Sequence, residues 1–320
     1  IDNEVEGIIH YTTDGSNPDI NSDILLHGFE ISSTTIIRSK IFKSGFIESK
    51  VSTNTYFLNE SFELRNLPVF SISSSNGYFW DKDTGIYVQD FKPSWEYPIN
   101  IELFETDGDL AFNREATIRI VGDNSWALPQ KMLSISLDKN ITYPLIDDFS
   151  RREYNSFNLR PSGSDWSSTL FRDGLAQNLS VDDMDVDIQG FTPTIVFING
   201  LYMGIHNVRQ KLNDNYISEK YHIESEYMDI IENDGEVVEG DDIAYQELFY
   251  HFENSDFSND TEYEEISDLI DINNFIDYII IEIYVGNHSW GHNIALWKSK
   301  ELNHHTKWKW FLTDLDRGMF

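Results

Sequence analysis

The sequence predicts an α+β protein, because a strand-rich first half is followed by a second half in which helical periodicity predominates. In the first half, short runs of β-branched and aromatic residues are separated by turn residues, and Asp107-Gly108 is a typical hairpin dipeptide. In the second half, apolar residues recur at spacings of three and four, most clearly over residues 272–285.

Residues 1–57 are predicted to form a small β-sandwich. Short strands are expected over 8–13, 34–42 and 49–57, and the turn dipeptides Asp14-Gly15 and Asn17-Pro18 follow the first of them. Alternating short strands in a segment of this length are typical of a sandwich of two small sheets.

Residues 64–320 are predicted to form a second domain, whose strands precede most of its helices. Its strands are expected at 67–73, 81–88 (after a turn), 99–104, 117–121, 131–137, 194–198, 203–208 and 308–313. A helix is expected from Ser167, because Phe171, Leu175 and Leu179 are spaced by four. Two further helices are expected over 245–252 and 272–285.

The composition excludes several classes of function. The chain carries 23 Lys and Arg against 55 Asp and Glu, a formal net charge of −32, which argues against nucleic-acid partners and against docking on an anionic membrane surface. It has no cysteine, so disulfides, zinc–thiolate sites and cysteine nucleophiles are excluded. No apolar run approaches the length that crosses a bilayer, so we expect no membrane insertion.

Lys131 opens the strand predicted over 131–137. The two-residue period of a strand places it on the face of Leu133 and Ile135, which is the core side. A lysine directed to a core needs an anionic partner such as a phosphate or a carboxylate, because an unpaired buried charge is costly. Alternatively, its ammonium group reaches water from the end of the strand.

Two groups of polar side chains follow apolar elements near residue 320. Asp314 and Asp316 follow the last predicted strand and are expected to share a face, from which both carboxylates reach one hard cation; ordinary turn residues are the alternative. The loop 286–293, "GNHSWGHN", follows the 272–285 helix and supplies amide oxygens, which together with carboxylates suit Mg²⁺ or Mn²⁺. A lysine on a core strand, an Asn-bearing loop and a strand-end Asp form an arrangement that phosphoryl-transfer enzymes use, although no Gly-rich phosphate loop is present.

The first 57 residues resemble a known module. The segments "IHYTTDGSNPDINSD" and "ISSTTIIRSKIFKSGFIESKVSTNTYF" are similar to the chitobiase C-terminal-type Ig-like domain, with its first strand clipped. Such modules accompany secreted bacterial enzymes. The resemblance implies an accessory β-module and a possible association with cell-surface carbohydrate.

Residues 64–320 resemble the CotH family. The blocks occur in the family's order: "LPVFSIS", "DTGIYV", "IRIVGDNSWALPQKMLSISL", "FNLRPSGSDWSSTLFRDGLAQ", "FINGLYMGIHNVRQKLNDNYI", "IDYIIIEIYVGNHSWGHNIALW" and "WKWFLTDLDRGMF". The resemblance implies an atypical kinase-like fold with a β-rich N-lobe and a mainly helical C-lobe. It also implies phosphorylation of secreted or coat proteins with ATP and a divalent metal.

The resemblance also assigns roles to particular residues. Lys131 falls on the family's nucleotide-contacting lysine, and Asn293 falls on its metal-binding asparagine. Asp314 and Asp316 fall on the block that supplies the metal-binding acid. Arg209 and Gln210 fall on a strand block implied to contact the cofactor. The block "FNLRPSGSDWSSTLFRDGLAQ" contains four charged residues with two possible roles, nucleotide contact or an internal ion-pair scaffold. They are Arg160, Asp165, Arg172 and Asp173.

Two positions depart from the family pattern. Ser289 stands where the family usually carries an Asp that resembles a kinase catalytic base, and a serine cannot accept a proton as a carboxylate does. The neighbouring His288 is a candidate replacement, because imidazole is a competent base near neutral pH. Gln210 stands where the family usually carries a Glu, which removes an acidic partner for Lys131 or for the metal.

Three functions follow from these expectations. The first is an exported phosphotransferase that uses ATP and Mg²⁺ or Mn²⁺ to modify Ser or Thr of a secreted or surface protein. The second is a catalytically impaired pseudokinase that acts as a binding or structural protein of the cell surface, and the third is a carbohydrate-associated surface protein. All three place the protein outside the cell or on its surface. The chain begins at Ile1 and stops at Phe320, and we expect both ends to be cut from a longer protein.

Overall fold

The computed structural model describes residues 7–61, 66–122, 124–146, 153–180, 183–302 and 304–319. The chain divides into two compact units. The first unit comprises residues 1–145, 152–161 and 192–208, and the second comprises 146–151, 162–191 and 209–320. The first unit is rich in strands and the second combines a sheet with helices, which confirms the predicted α+β class. The predicted domain boundaries, 1–57 and 64–320, stay predictions.

The first unit begins with a four-stranded antiparallel sheet, which confirms a β-rich N-terminal region. Its strand order is β2-β1-β3-β4, and within the described residues 7–61 it is one layer, without the second sheet that a sandwich requires. Its strands are β1 (Ile8–Thr12), β2 (Asp23–Ile24), β3 (Thr35–Phe42) and β4 (Ser52–Tyr56).

The rest of the first unit is a closed barrel of seven strands. Each strand is hydrogen-bonded to the next in the spatial order given below. The parallel pairing of Ile195 with Val69 and of Ile198 with Ile72 joins the first strand of this order to the last and closes the barrel. The ring of Phe70 contacts the rings of Phe112 and Phe157 in its core. The strands in spatial order are β11 (Phe191–Ile198), β12 (Leu201–Arg209), β9 (Glu153–Arg160), β8 (Met132–Thr142), β7 (Leu110–Val121), β6 (Tyr97–Phe104) and β5 (Val69–Ser73).

The prediction of a strand within residues 81–88 was wrong. This segment forms turns that follow a short helix, α1 (Asn76–Trp80). The backbone N–H of Ile86 donates to the Tyr78 carbonyl at 2.9 Å, and that of Tyr87 donates to the Phe79 carbonyl at 3.0 Å. Ile86 is fully buried, so the apolar pattern that predicted a strand reflects packing against the helix.

The second unit contains a five-stranded sheet and five α-helices in the described part of the chain. The strand order is β10-β16-β15-β13-β14, with β10 parallel to β16. Its strands are β10 (Asp187–Ile188), β13 (Met228–Glu232), β14 (Glu236–Glu239), β15 (Ala295–Ser299) and β16 (Lys309–Leu312). Its helices are α2 (Arg172–Asn178), α3 (Asp214–Tyr221), α4 (Ile243–Asn254), α5 (Asp260–Leu269) and α6 (Ile272–Val285).

Helix α6 is the element that positions the loop 286–293. It begins at an N-cap, Asp271, whose carboxylate accepts the backbone N–H of Asn274, and it ends at Gly286, whose φ of 65° suits a glycine. Its buried face, Tyr278, Ile281 and Val285, packs in one core with residues of β15 and β16. None of the helices in the described ranges is long and apolar enough to span a membrane.

A buried amide fixes α6 against β16. The Asn274 side chain donates to the carbonyls of Asp185 at 2.7 Å and Trp310 at 3.2 Å, and it accepts the Trp310 N–H at 2.6 Å. Because both of its polar atoms are used, Asn274 sets the register between helix and strand. The end of α6 and the end of β16 are thereby held at defined positions.

Candidate functional site

The second unit brings together two segments that the sequence analysis singled out, the loop after α6 and the turn after β16. The Asn293 side-chain amide donates to the Asp314 carboxylate, Nδ2 to Oδ2, at 2.6 Å. The Asn287 amide donates to the Asp314 backbone carbonyl at 3.3 Å. Two asparagines of the loop therefore hold Asp314 by its side chain and by its backbone.

Asp314 has an unusual backbone conformation. Its φ is 56°, in the left-handed region that non-glycine residues rarely adopt. Asp and Asn tolerate this region better than most residues, and the cost is met by surrounding contacts. The turn directs the Asp314 side chain toward Asn293.

Asp316 has a different partner. Its carboxylate accepts the backbone N–H of Ser164 at 2.9 Å, and the residue is buried. The two acids of the Asp-Leu-Asp sequence therefore make separate contacts, one with the loop after α6 and the other with the short 3₁₀ helix 163–165. No group of three or more His, Cys, Asp or Glu side chains able to hold a metal ion occurs in the described part of the chain.

Ser289 and His288 differ in their surroundings. Ser289 is 3% exposed, and both its backbone N–H and its hydroxyl donate to Asn287 Oδ1 at 3.1 Å. His288 is exposed. The hydroxyl at the expected base position is thus a hydrogen-bond donor inside the loop, while the neighbouring imidazole faces outward.

Arg209 lies in a buried ion pair of the second unit. Its Nη1 atom lies 2.6 Å from the Asp173 carboxylate, and the two side chains are 1% and 2% exposed. Gln210 is also buried, and its backbone carbonyl accepts the Gln189 side-chain amide at 2.8 Å. The implied contact of Arg209 and Gln210 with a cofactor stays a prediction.

A second ion pair of the same unit joins a buried acid to a half-buried arginine. The Asp165 carboxylate lies 3.3 Å from the Arg172 guanidinium and accepts hydrogen bonds from Thr169. Together with the Arg209–Asp173 pair, this contact supports the scaffold interpretation for Asp165, Arg172 and Asp173.

Lys131 belongs to the first unit and is buried, as its strand position predicted. Its ammonium group donates to the Trp126 carbonyl and lies 6.0 Å and 5.7 Å from the ring centroids of Tyr87 and Phe91. Burial lowers the pKa of Lys131. In the described residues no carboxylate forms a salt bridge with it, so aromatic faces and a backbone carbonyl stabilise its charge.

Glu282 is a site residue that the sequence analysis missed. It lies on α6, is 1% exposed, and neither of its carboxylate oxygens accepts a well-aligned hydrogen bond. Burial raises its pKa to about 7; Asn287 and Tyr278 favour its charged form, whereas Asp314 and Asp173 disfavour it. The available signal was an acid that interrupts the longest apolar run of the sequence.

At the Asn293–Asp314 contact the amide presents its Nδ2 to the carboxylate, so a cation would be bound by Asp314 and by the other amide atom, the Asn293 oxygen. A carboxylate and an amide oxygen suit Mg²⁺ or Mn²⁺, which commonly bind through one or two protein ligands together with substrate phosphates. Two side chains of the types that bind a hard cation therefore lie side by side at this point.

Two protein-family models match the chain. The family model described as CotH kinase protein matches residues 118–320, and the model described as Fn3 associated matches residues 1–56. No curated protein matches the chain. The two matches confirm an Ig-like β-module in front of a CotH region. The CotH match covers more than half of the sequence. The chain belongs to the CotH family.

Proposed function

We propose that this protein is an exported phosphotransferase, which uses ATP and Mg²⁺ or Mn²⁺ to phosphorylate Ser or Thr of a secreted or surface protein. The observation that carries the proposal is the 2.6 Å contact between Asn293 and Asp314. These residues are 21 positions apart, and their pairing supplies an amide and a carboxylate at one point. Membership of the CotH family supports a kinase-like activity of this kind.

Asn293 and Asp314 would hold the divalent metal. Of the two acids, Asp314 is the better candidate, because Asp316 is buried and accepts a backbone N–H from the 3₁₀ helix. When bound, the metal supplies positive charge that offsets the charge of the transferred phosphoryl group. Lys131 stays the proposed phosphate contact, and its lowered pKa reflects the burial of a cation that a phosphate would stabilise.

A catalytically impaired protein of the cell surface is the second candidate. It is favoured by Ser289, whose hydroxyl donates to Asn287 within the loop and offers no carboxylate to a substrate hydroxyl. Phosphoryl transfer depends mainly on positioning and charge, so nucleotide binding can persist where transfer is slow. His288 is the candidate replacement base in this loop, and its imidazole is exposed.

The deciding experiment measures phosphotransfer and nucleotide binding side by side. The protein is incubated with γ-labelled ATP, Mn²⁺ and a generic acceptor protein, and its melting temperature is recorded with and without Mn²⁺·ATP. We expect Asp314→Asn to abolish transfer and to remove the Mn²⁺-dependent part of the thermal shift, since it deletes the anionic ligand. The control is Asp138→Asn, an exposed aspartate on β8.

The outcomes separate the two candidates. Label transfer by the wild type and the control, but not by Asp314→Asn, supports the phosphotransferase. A thermal shift without any transfer supports the impaired protein instead. Neither transfer nor a thermal shift would contradict both proposals.

A further inference from the structure

The Asp173 carboxylate lies at the centre of a buried hydrogen-bond network behind the Asp-Leu-Asp turn. One oxygen accepts the Gln177 side-chain amide at 2.9 Å and the backbone N–H of Leu315 at 2.8 Å. The other oxygen lies 2.6 Å from Arg209 Nη1. Leu315 stands between the two acids of the turn, so the network is attached directly to the backbone of the candidate metal site.

The turn requires such an attachment. Asp314 is in the left-handed region, and a non-glycine residue stays there only where neighbouring contacts determine the backbone. Asp173 fixes the N–H that follows Asp314, and Asn287 contacts the carbonyl of Asp314 itself. The peptide unit between Asp314 and Leu315 is therefore held at both of its polar atoms.

Arg209 supplies the positive charge that pairs with Asp173 in a part of the unit that otherwise contains several acids. Three other acids lie in this part of the unit: Asp314, Asp316 and Glu282. Burying a further carboxylate beside them without a cation would destabilise the folded state. The guanidinium pairs with one oxygen of Asp173 while the other oxygen accepts the Leu315 N–H, and hydrogen bonds of an ion-paired carboxylate are stronger than neutral ones. Arg209 thus has a role in the interior of the unit, distinct from the nucleotide contact that the family resemblance implies.

We propose that Asp173 is a positioning residue for Asp314, acting through the Leu315 N–H, and that Arg209 orients Asp173 for this task. Asp173 holds the turn in the conformation that directs the Asp314 carboxylate at Asn293. Loss of Asp173 releases the peptide, so that Asp314 relaxes toward an ordinary backbone conformation and its carboxylate moves away from the amide. The metal-binding consequence rests on the proposed function; the effect on the Asn293–Asp314 contact does not.

The test uses Asp173→Ala in the full chain, with two readouts. The first is the Mn²⁺ concentration at half-saturation in the presence of ATP, measured from the electron paramagnetic resonance signal of free Mn²⁺. We expect it to rise by about 10- to 100-fold, the range typical for loss of a residue that supports a metal ligand. The second is the chemical shift of the Asn293 side-chain amide in nucleotide-free protein, which we expect to move because its acceptor has moved.

Asp229→Ala is the matched control. Asp229 is also a buried acid of the second unit, and it is also paired with a cation, but its carboxylate contacts Lys300 at 2.7 Å and the backbone N–H of Asp241 at 2.8 Å rather than the turn. We expect it to lower the melting temperature while leaving the Mn²⁺ midpoint within about twofold, since substitutions at sites without shared partners act independently. If Asp173→Ala does not fold, Asp173→Asn replaces it, with a smaller effect in the same direction because an amide oxygen still accepts the N–H.

The two readouts distinguish the possible failures. If both alanine variants change the Mn²⁺ midpoint and the Asn293 resonance equally, or if Asp173→Ala changes neither, the positioning role is overturned. If the wild type does not bind Mn²⁺ with ATP but Asp173→Ala selectively moves the Asn293 resonance, the proposed function fails and the positioning role stands.

Discussion

Two buried acids, one in each unit, are stabilised in opposite ways. Glu102 in the first unit is 1% exposed and is surrounded by neutral donors: the Thr55 hydroxyl at 2.5 Å and the Asn113 amide at 3.3 Å. Asp173 in the second unit is equally inaccessible but is paired with Arg209 at 2.6 Å. Burial raises the pKa of Glu102 to about 7, so this carboxyl group is readily protonated, whereas the Asp173 carboxylate has a guanidinium as its partner.

The difference matches what each acid holds in place. Glu102 lies where the N-terminal sheet meets the barrel: Thr55 belongs to β4, and its hydroxyl also contacts the Ser71 hydroxyl of β5 at 2.7 Å. A protonated carboxyl group serves there as one more neutral partner. Asp173 supports a turn whose geometry matters for the candidate metal site, and it is held there by an ion pair with Arg209. The comparison shows two ways of holding a buried acid, neutral hydrogen-bond donors around Glu102 and a guanidinium beside Asp173.

The largest effect is expected from breaking the ion pair. Arg209→Met leaves Asp173 buried without its cation, and we expect a loss of about 3–5 kcal/mol in the free energy of unfolding, measured by urea denaturation. The double variant Arg209→Met with Asp173→Leu is expected to recover most of this loss, because it removes both charges. A single variant that costs under about 1 kcal/mol would show that the pair is not what stabilises Asp173.

A pH-dependent effect is expected at Glu102. Its pKa in the folded protein, about 7, lies above the ordinary value of 4.5, so the folded state binds the proton more tightly. Its stabilising contribution is therefore complete below pH 4.5 and is lost as the pH rises through 7. At about 1.4 kcal/mol per pKa unit, the loss is roughly 3 kcal/mol.

Glu102→Gln is expected to abolish this dependence. The measurement is the difference in unfolding free energy between wild type and variant at pH 4.5, 6 and 8, with the variant gaining relative stability as the pH rises. Taking the difference is necessary because burial lowers the pKa of His206 to about 4, and that group acts in the opposite direction between pH 4 and 6.5. A difference that is constant across this range would contradict the assignment of Glu102.

The smallest effect is expected at Thr55. Thr55→Val removes the hydroxyl shared between Glu102 and Ser71 while keeping the shape of the side chain, and we expect a loss of about 1–2 kcal/mol at pH 8. The loss should shrink at pH 5, where the protonated Glu102 needs the donor less. Thr106→Val, at an exposed position of the first unit, is the control and is expected to be neutral.

Local sequence patterns predicted most elements but not always the faces that they bury. The helix near residue 172 was predicted from Phe171, Leu175 and Leu179, yet these residues are 38–50% exposed. The same helix instead buries Asp173 and Gln177. Periodicity detects a helix because apolar residues repeat, but it cannot indicate that a polar face is buried when that face is satisfied by partners elsewhere in the chain.

The candidate site was predictable only in part, because local patterns do not report contacts between residues that are far apart in the sequence. Lys131 was placed toward the core by strand period; the residue is buried, but it lies immediately before β8 and contacts residues 87, 91 and 126. The partnership of Asp173 with Leu315 joins residues 142 positions apart, and no local pattern contains it. The left-handed conformation of Asp314 was also hidden, because an Asp after a strand is compatible with many turns.

The parallel pairing of β5 with β11 has a consequence for how the chain acquires its structure during synthesis. Thr194 bonds the Pro68 carbonyl across 126 positions of sequence, and the strands of the barrel are interrupted by residues 162–191, which belong to the other unit. Until β11 leaves the ribosome, β5 is an open edge beside a finished β6, and such edges invite pairing with other chains. Barrel closure is therefore a late, long-range event, and we expect the nascent protein to depend on chaperones until β11 has emerged.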